Sequence, residues 1–400
     1  MRNRAALWFI LATLFLDAIG VGIVFPIMPD LMAKVGAGST ADGAFWGGIL
    51  MASYAGMQFL FAPIIGGLSD SYGRRPVLLL ALVALCVDYV IMALSTTFIW
   101  LLIGRAMAGI AGGTYITATA YLSDISKPEE RAANFGLIGA AFGIGFVIGP
   151  AIGGVVASWH ITAPFWLSAA MAGINVLFGI FVLPESLSKE KRRSFVRRDL
   201  NPFSSILDAF RLPGLGLPLI LLFLFEFANM VYPTLWAFWT REVFGWGTAL
   251  IGLTLAAYGV GITFTQGVVM RFMIPRFGEF KTLIFSIGCA IAAFVVFGLT
   301  ASVMVMFSFL LVAALSDMAP PTMTALMANR VAEDRQGLLQ GVIASLGSIS
   351  AVIAPMVMTG MFQFFATEEA VLYLPGAPFL FSGLIVIVIF PLFFRLRRMP

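Results

Sequence analysis

Twelve apolar runs, each near the length of about 20 residues that a helix needs to cross a bilayer, succeed one another along this chain of 400 residues. They fall roughly at 6–29, 44–69, 76–95, 98–122, 133–158 and 163–183. After a polar break they resume at 217–240, 248–271, 280–300, 303–328, 337–364 and 375–394. In hydrocarbon every backbone N–H and C=O must find its partner within the chain, so runs of this length fold as helices. A water-soluble domain is about half apolar and about a quarter charged; here the hydrophobic share is 60% and the charged share 11%. The chain therefore reads as an all-α integral membrane protein. Its two cysteines, Cys86 and Cys289, both lie in apolar runs and give no disulfide framework, and no residues have metal-ligand spacing. The first run lacks a small-residue cleavage site and reads as a retained span.

Basic residues orient the spans. With both termini cytoplasmic, the inner segments hold Arg2, Arg4, Arg74, Arg75, Lys127, Arg131, a 189–211 cluster, Arg271, Arg276, Lys281, Arg330, Arg335 and the arginines of the C-terminus. The outer loops hold only Lys34 and Arg241. The net charge of +4 thus reflects topology rather than nucleic-acid binding. The break divides the chain into a six-helix bundle over 1–183, a basic linker over 184–216 and a second six-helix bundle over 217–400. SKEKRRSFVRRDL reads as a solvated cytoplasmic linker near the anionic headgroups of membrane lipid, and NPFSSILDAFRL as a short amphipathic surface helix. Gly73 and Gly278, Gly136 and Gly341, and Pro150 and Pro355 are each 205 residues apart, which points to duplication of a six-helix unit. Two pseudo-symmetric bundles with a mid-membrane site between them describe an alternating-access transporter, complete within one chain and so expected as a monomer.

Two motifs narrow this reading. The fifth span contains GLIGAAFGIGFVIGPAIGG, with Gly136, Gly145, Gly149, Pro150, Gly153 and Gly154. Glycines at this spacing leave a bare helical stripe that a neighbouring helix can approach closely, and Pro150 removes a donor beside it. Between the second and third spans lies GGLSDSYGRRPVLL. There Gly73 permits a tight turn, Asp70 can face the positive end of a helix of the other half, and Arg74 can pair with Asp124. These contacts would latch the cytoplasmic side. In the second half the loop reads RFMIPRFGEFK, with Pro275 in the acid's place and Glu279 in that of the first arginine, so a latch there is asymmetric.

The glycine run resembles the antiporter motif of the major facilitator superfamily. The loop, through Gly66, Leu68, Asp70, Gly73, Arg74 and Arg75, resembles its signature loop, with Ser71 replacing a usual basic residue. LDAIGVGIVFPIMPDL, LFAPIIGGLSDSYGRRPVLLL and VDY extend the likeness to tetracycline efflux proteins over residues 7–185. NMVYPTLW and QGLLQG continue it more faintly. The resemblance implies the major facilitator fold and a proton-coupled exporter of drugs in the bacterial inner membrane.

Ionisable groups inside spans are costly and face the bundle interior or a watery cavity. Asp17, Asp88, Arg105, Glu226 and Asp317 qualify, with Asp124 near a span's end. Asp17 matches an acid that the resemblance places in the first span. Arg105, in RAMAGIAGG, matches a second motif of that family. An Asp17–Arg105 pair is open to two roles, a structural ion pair or a protonation switch. Asp88 also matches an acid of these proteins, and it can instead serve as an interhelical hydrogen-bond partner. Glu226, in LLFLFEFANMVYP, has no basic residue near it in sequence. It can carry the proton, bind a cationic drug, or hold two helices together. Tetracycline pumps carry an amide there, which points to a different substrate or a second titrating site. Asp317 matches an acid one turn away. Ile262 stands where tetracycline pumps carry a histidine, and the only histidine, His160, follows the fifth span. The resemblance therefore gives no histidine relay.

Tyr54, Met57, Gln58, Tyr115, Asn229, Tyr232, Tyr258 and Gln266 are placed to line a cavity for flat or amphiphilic compounds, with helix packing as the other role open to each. Trp236 and Trp239 are expected as interfacial anchors. No cofactor, metal site or enzyme constellation is expected: nucleophile–base, GxSxG and Walker patterns are absent from the sequence. The alternative to drug export is proton-coupled export or import of a metabolite, sugar or lipid on the same fold.

Overall fold

The computed structural model describes residues 2–112, 114–195, 201–202, 214–332, 335–367 and 369–396. Among these it is helical, with no strand. The helices are α1 (Arg2–Lys34), α2 (Thr40–Tyr72), α3 (Arg74–Leu94), α4 (Phe98–Ala111), α5 (Thr114–Ile125), α6 (Pro128–Ala157) and α7 (Ala163–Val182). They continue with α8 (Gly216–Asn229), α9 (Val231–Phe244), α10 (Thr248–Phe264), α11 (Met270–Leu299), α12 (Val303–Ser316), α13 (Ala319–Ala328), α14 (Gln336–Phe365) and α15 (Ala377–Leu396).

Eleven helical stretches among the described residues are long and apolar enough to cross a membrane. One, Thr248–Leu299, is 52 residues long. At about 1.5 Å per residue that is more than twice the thickness of a hydrocarbon core. Gly278, at φ 78° and ψ 164°, divides it into the expected eighth and ninth spans. Three other expected spans are helices broken in mid-course. The fourth is α4 and α5, interrupted at Gly112. The seventh is α8 and α9, interrupted at Met230. The tenth is α12 and α13, interrupted at Asp317–Met318.

Local signals explain several boundaries. Gly73, at φ 111°, lets the chain turn between α2 and α3, and Gly278 does so at the equivalent place in the second half. Pro128 opens α6 where an N–H would lack a helical partner in any case. Gly245 closes α9 in the left-handed conformation, its N–H donating to the Arg241 carbonyl. The NPFSSILDAFRL segment expected as an amphipathic helix lies outside the described residues, apart from Asn201 and Pro202.

The helices form two compact units. The first contains Met1–Gly36, Ser53–Pro202 and Gly247–Ala256; the second contains Ala37–Ala52, Phe203–Trp246 and Ala257–Pro400. Each unit thus takes in the leading end of a helix, α10 in the first and α2 in the second. The core of the first unit joins Phe9, Ile10 and Leu14 of α1 to Leu78 and Leu82 of α3 and Tyr121 of α5. The second is filled by rings: Trp239 lies 5.1 Å from Phe379 and 5.9 Å from Phe297, and Tyr232 stacks on Phe294 at 5.4 Å. Trp236 and Trp239 are buried in this cluster and are not interfacial anchors. Stacking an indole among phenylalanines here outweighs its preference for a headgroup layer. Leu80, Ile174, Phe181 and Val388 stay exposed, an outward apolar surface suited to lipid.

Candidate functional site

The first unit gathers five ionisable or phenolic groups of the spans: Asp17, Tyr54, Asp88, Tyr89 and Arg105. Arg105 Nη2 donates to Asp88 Oδ2 in a buried ion pair, and the guanidinium lies 5.7 Å from the centre of the Tyr54 ring. Asp88 Oδ1 and Arg105 Nε are buried without a hydrogen-bond partner among the described residues. A methyl group on Gly104 would sit 2.7 Å from Asp88 Oδ1, so this glycine clears space for the carboxylate. Asp17 stands within electrostatic reach of Tyr54 and Tyr89, as does the Asp88–Arg105 pair.

The Asp17–Arg105 pair expected from sequence is therefore not formed: Arg105 is taken by Asp88. The reason is local. A tight connection joins α3 to α4, and in such an antiparallel pair residues nearly equidistant from the turn face each other, as Asp88 and Arg105 do. No cation among the described residues forms an ion pair with Asp17.

A second cluster lies in the second unit. Tyr258 OH donates to Asp317 Oδ2 at 2.6 Å, and its ring lies 5.5 Å from that of Tyr232. Tyr232 OH and Asn229 Oδ1 are buried without a hydrogen-bond partner among the described residues, and Glu226 is close enough to Asp317 for their charges to interact. Asp317 owes its position to the break between α12 and α13, which turns it out of the regular helix.

Gln58 and Gln266, expected to line a cavity, are both occupied with backbone. Gln58 Nε2 donates to the Gly112 carbonyl at 3.4 Å, and Gln266 Nε2 to the Asp317 carbonyl at 3.2 Å. Each thus supplies a donor to a carbonyl that a helix break has released. Gln266 lies in a π-helical turn, Thr265–Val269, a local widening that is frequent at functional sites. Met57 packs its Cβ toward Gly109, and Tyr115 meets Phe142 edge-on at 5.6 Å with its side chain exposed.

The glycine stripe of α6 behaves as its spacing demands. A methyl on Gly149 would lie 2.7 Å from the Ile19 carbonyl oxygen, and one on Gly153 2.7 Å from that of Ile23. Gly145 meets the Phe15 carbonyl and Ala18 in the same way, and Gly22 answers from α1 against Pro150. Gly154 faces another neighbour, the Thr248 carbonyl and Gly252 of α10. Gly136 has open space around it and takes no part in the seam.

At the end of the first unit, Arg74 pairs with Asp124 (Nε–Oδ2 3.2 Å) as expected, and also with Asp70. Sequence reasoning missed the partners that complete this network. Glu185 accepts the N–H of Arg74 at 2.9 Å and of Arg75 at 3.3 Å, capping the α3 N-terminus, while Arg75 Nη2 donates to the Ile180 carbonyl. Arg193 Nε donates to Asp70 Oδ2 at 2.8 Å, and Arg192 lies 3.8 Å from Glu185. The front of the linker is therefore docked rather than merely solvated, because unspent carboxylates lie within its reach. Gly66 clears ordinary space beside Ile116. In the second unit, at the same offset of 205 residues, Glu279 takes the place of Arg74 and Asn329 that of Asp124. Asn329 Nδ2 donates to Glu279 at 3.3 Å, so the contact persists with its ionic character removed.

Comparisons with known proteins agree with this architecture. The family description of the Major Facilitator Superfamily matches residues 10–355. The chain is 36% identical over 363 residues to the class C tetracycline resistance protein of Escherichia coli, covering 90% of this chain and 91% of that one. It is 34% identical over 364 residues to the class G tetracycline resistance protein of Vibrio anguillarum, covering 91% of each. Among solved structures, a bacterial homologue of the human lysosomal transporter Spinster superposes with a TM-score of 0.80 at 16% identity. That superposition covers 100% of this chain and 97% of the other, and it bears on fold alone. Glycine seam, signature loop and whole-length similarity converge, and the chain belongs to the Major Facilitator Superfamily, with the tetracycline resistance proteins among its relatives.

Proposed function

We propose that this protein exports drugs from the bacterial cytoplasm across the inner membrane, in exchange for protons, by alternating access. The substrates in this reading are tetracycline-like or other amphiphilic compounds. The six-helix bundles over 1–183 and 217–400, joined by the linker over 184–216, act as the two moving halves, with both termini cytoplasmic and the monomer as working unit. One observation carries the proton-coupled part. Arg105 is held by Asp88, which leaves Asp17 inside a span with no ion pair among the described residues. Its charge can change without breaking a buried salt bridge. The similarity to tetracycline resistance proteins over about 90% of the chain supports the choice of cargo.

The energetics suffice. One proton entering down a potential of about 100 mV releases about 2.3 kcal/mol. One pH unit adds about 1.4 kcal/mol. Together these sustain roughly a few-hundredfold gradient of a neutral drug.

The test is tetracycline uptake into inverted membrane vesicles energised by an imposed pH gradient. Uptake that a protonophore collapses, and that Asp17→Asn abolishes while drug–drug exchange persists, is the expected result. Full gradient-driven uptake by Asp17→Asn would overturn the assignment. A second reading is favoured by Glu226, which has no salt bridge among the described residues. It makes the preferred substrate a cationic amphiphile, and uptake of such a dye in place of tetracycline would select it.

A further inference from the structure

Beside Asp17, between α1, α3 and α7, the first unit leaves a small, partly open and mostly apolar cavity, to which Thr13, Asp17, Tyr89, Ser168 and Asn175 bring the polar groups. It gives the centre of a water-sized sphere about 20 Å³ of room. About 10–15 Å³ is enough to admit one water, provided that two to four polar partners face it.

The partners are present. Ser168 is only 4% exposed, and its Oγ is buried with no hydrogen-bond partner among the described residues. An orphaned hydroxyl of this kind carries a desolvation cost unless something fills the site. Asn175 Nδ2 donates to Thr13 Oγ1 at 3.0 Å, while the reverse bond, from the Thr13 hydroxyl to Asn175 Oδ1, is stretched to 3.5 Å. Thr13 has one proton to give, and its better use is toward the cavity. Asp17, Ser168, Thr13 and Asn175 thus offer an occupant one carboxylate and three neutral polar groups. The room fits a single water and is too small for a drug.

We infer that this cavity holds one ordered water that relays the coupling proton to Asp17 from the side of α3 and α7. A hydronium arriving there breaks one O–H bond as the carboxyl O–H of Asp17 forms, and neutral water remains. The phenolic groups facing Asp17 from its neighbours are Tyr54 of α2 and Tyr89 of α3, and the Asp88–Arg105 pair of α3 and α4 interacts with the same two tyrosines. Cavity lining from α7 contributes only neutral side chains. The inference rests on Asp17 being a proton carrier.

Hydrogen–deuterium exchange of the Asp17 carboxyl, followed by infrared difference spectroscopy on the full-length protein in lipid, tests it without any drug. The band is assigned by its loss in Asp17→Asn. Ser168→Val fills the cavity and is expected to slow exchange about tenfold or more by displacing the water; Ser168→Ala leaves room for it and slows exchange less. If both folded variants exchange at the unsubstituted rate, or slow it equally, the water is not the relay. Should Ser168→Val not fold, density for the unsubstituted protein decides. A water peak within hydrogen-bond reach of Asp17 and Ser168 supports the inference, and an empty cavity overturns it. Absence of any band that Asp17→Asn removes would instead overturn Asp17 as the carrier, a separate failure.

Discussion

Arg105 has one carboxylate to answer its charge, and neither side chain reaches water freely. Removing Asp88 strands a guanidinium in low dielectric. Asp88→Asn is expected to cost about 3–5 kcal/mol, read as a lower thermal unfolding temperature in detergent. Asp88→Asn combined with Arg105→Gln, which removes both charges, should recover most of that loss. If the double variant is no more stable than the single, the pair is not what holds this region. Glu226 calls for the opposite outcome. Glu226→Gln breaks no ion pair, so stability should change by less than about 1 kcal/mol. Uptake of cationic substrates should fall while uptake of neutral ones is retained, which vesicle transport with two dyes of differing charge would show. The presence of these acids was legible in sequence because a charge inside an apolar run has few innocent explanations. The partner of Arg105 was not legible, because it is set by the short turn between α3 and α4, which brings Asp88 opposite the guanidinium. Ser168, Thr13 and Asn175 were passed over, since a small polar residue in a span carries no signal until its neighbours are known.

Among the elements, α6 shows what spacing can and cannot reveal. The glycine period announced a bare stripe, and Gly145, Gly149 and Gly153 do let α6 press against the backbone of α1. Gly136 belongs to the same motif, yet a methyl group there would meet nothing within 4 Å. Gly149→Ala should therefore destabilise the protein by about 1–3 kcal/mol, because the new methyl meets main-chain atoms that cannot rotate aside. Gly136→Ala should be neutral or slightly stabilising through helix propensity. Thermal unfolding of the two variants side by side checks this, and equal effects would count against the seam. The breaks at Gly112, Met230 and Asp317 were invisible to hydropathy. Apolar character runs straight through them, and what changes is the hydrogen bonding, which Gln58 mends at Gly112 and Gln266 at Asp317.

For the molecule as a whole, the repeat of 205 residues survives more in backbone than in chemistry. Gly73 and Gly278 share a positive φ, whereas the charged pair of Arg74 and Asp124 has become Glu279 and Asn329. Sequence periodicity exposed the duplication; the divergence of its electrostatics needed the partners to be seen. The docked linker is peripheral to stability. Arg193→Ala removes one partly exposed ion pair worth about 0–1 kcal/mol, yet it should speed tryptic cleavage around Lys189, Lys191 and Arg192. Unchanged digestion would mean that the Asp70 contact does not restrain the linker. The two glutamines at the helix breaks also bear on resistance evolution. Loss of Gln58 or Gln266 removes the side-chain donor from a carbonyl at a helix break, so a population selected for a new substrate range should seldom change either. Adaptive changes should accumulate instead at Met57, Ile262 and Tyr115, whose side chains bond no backbone group among the described residues.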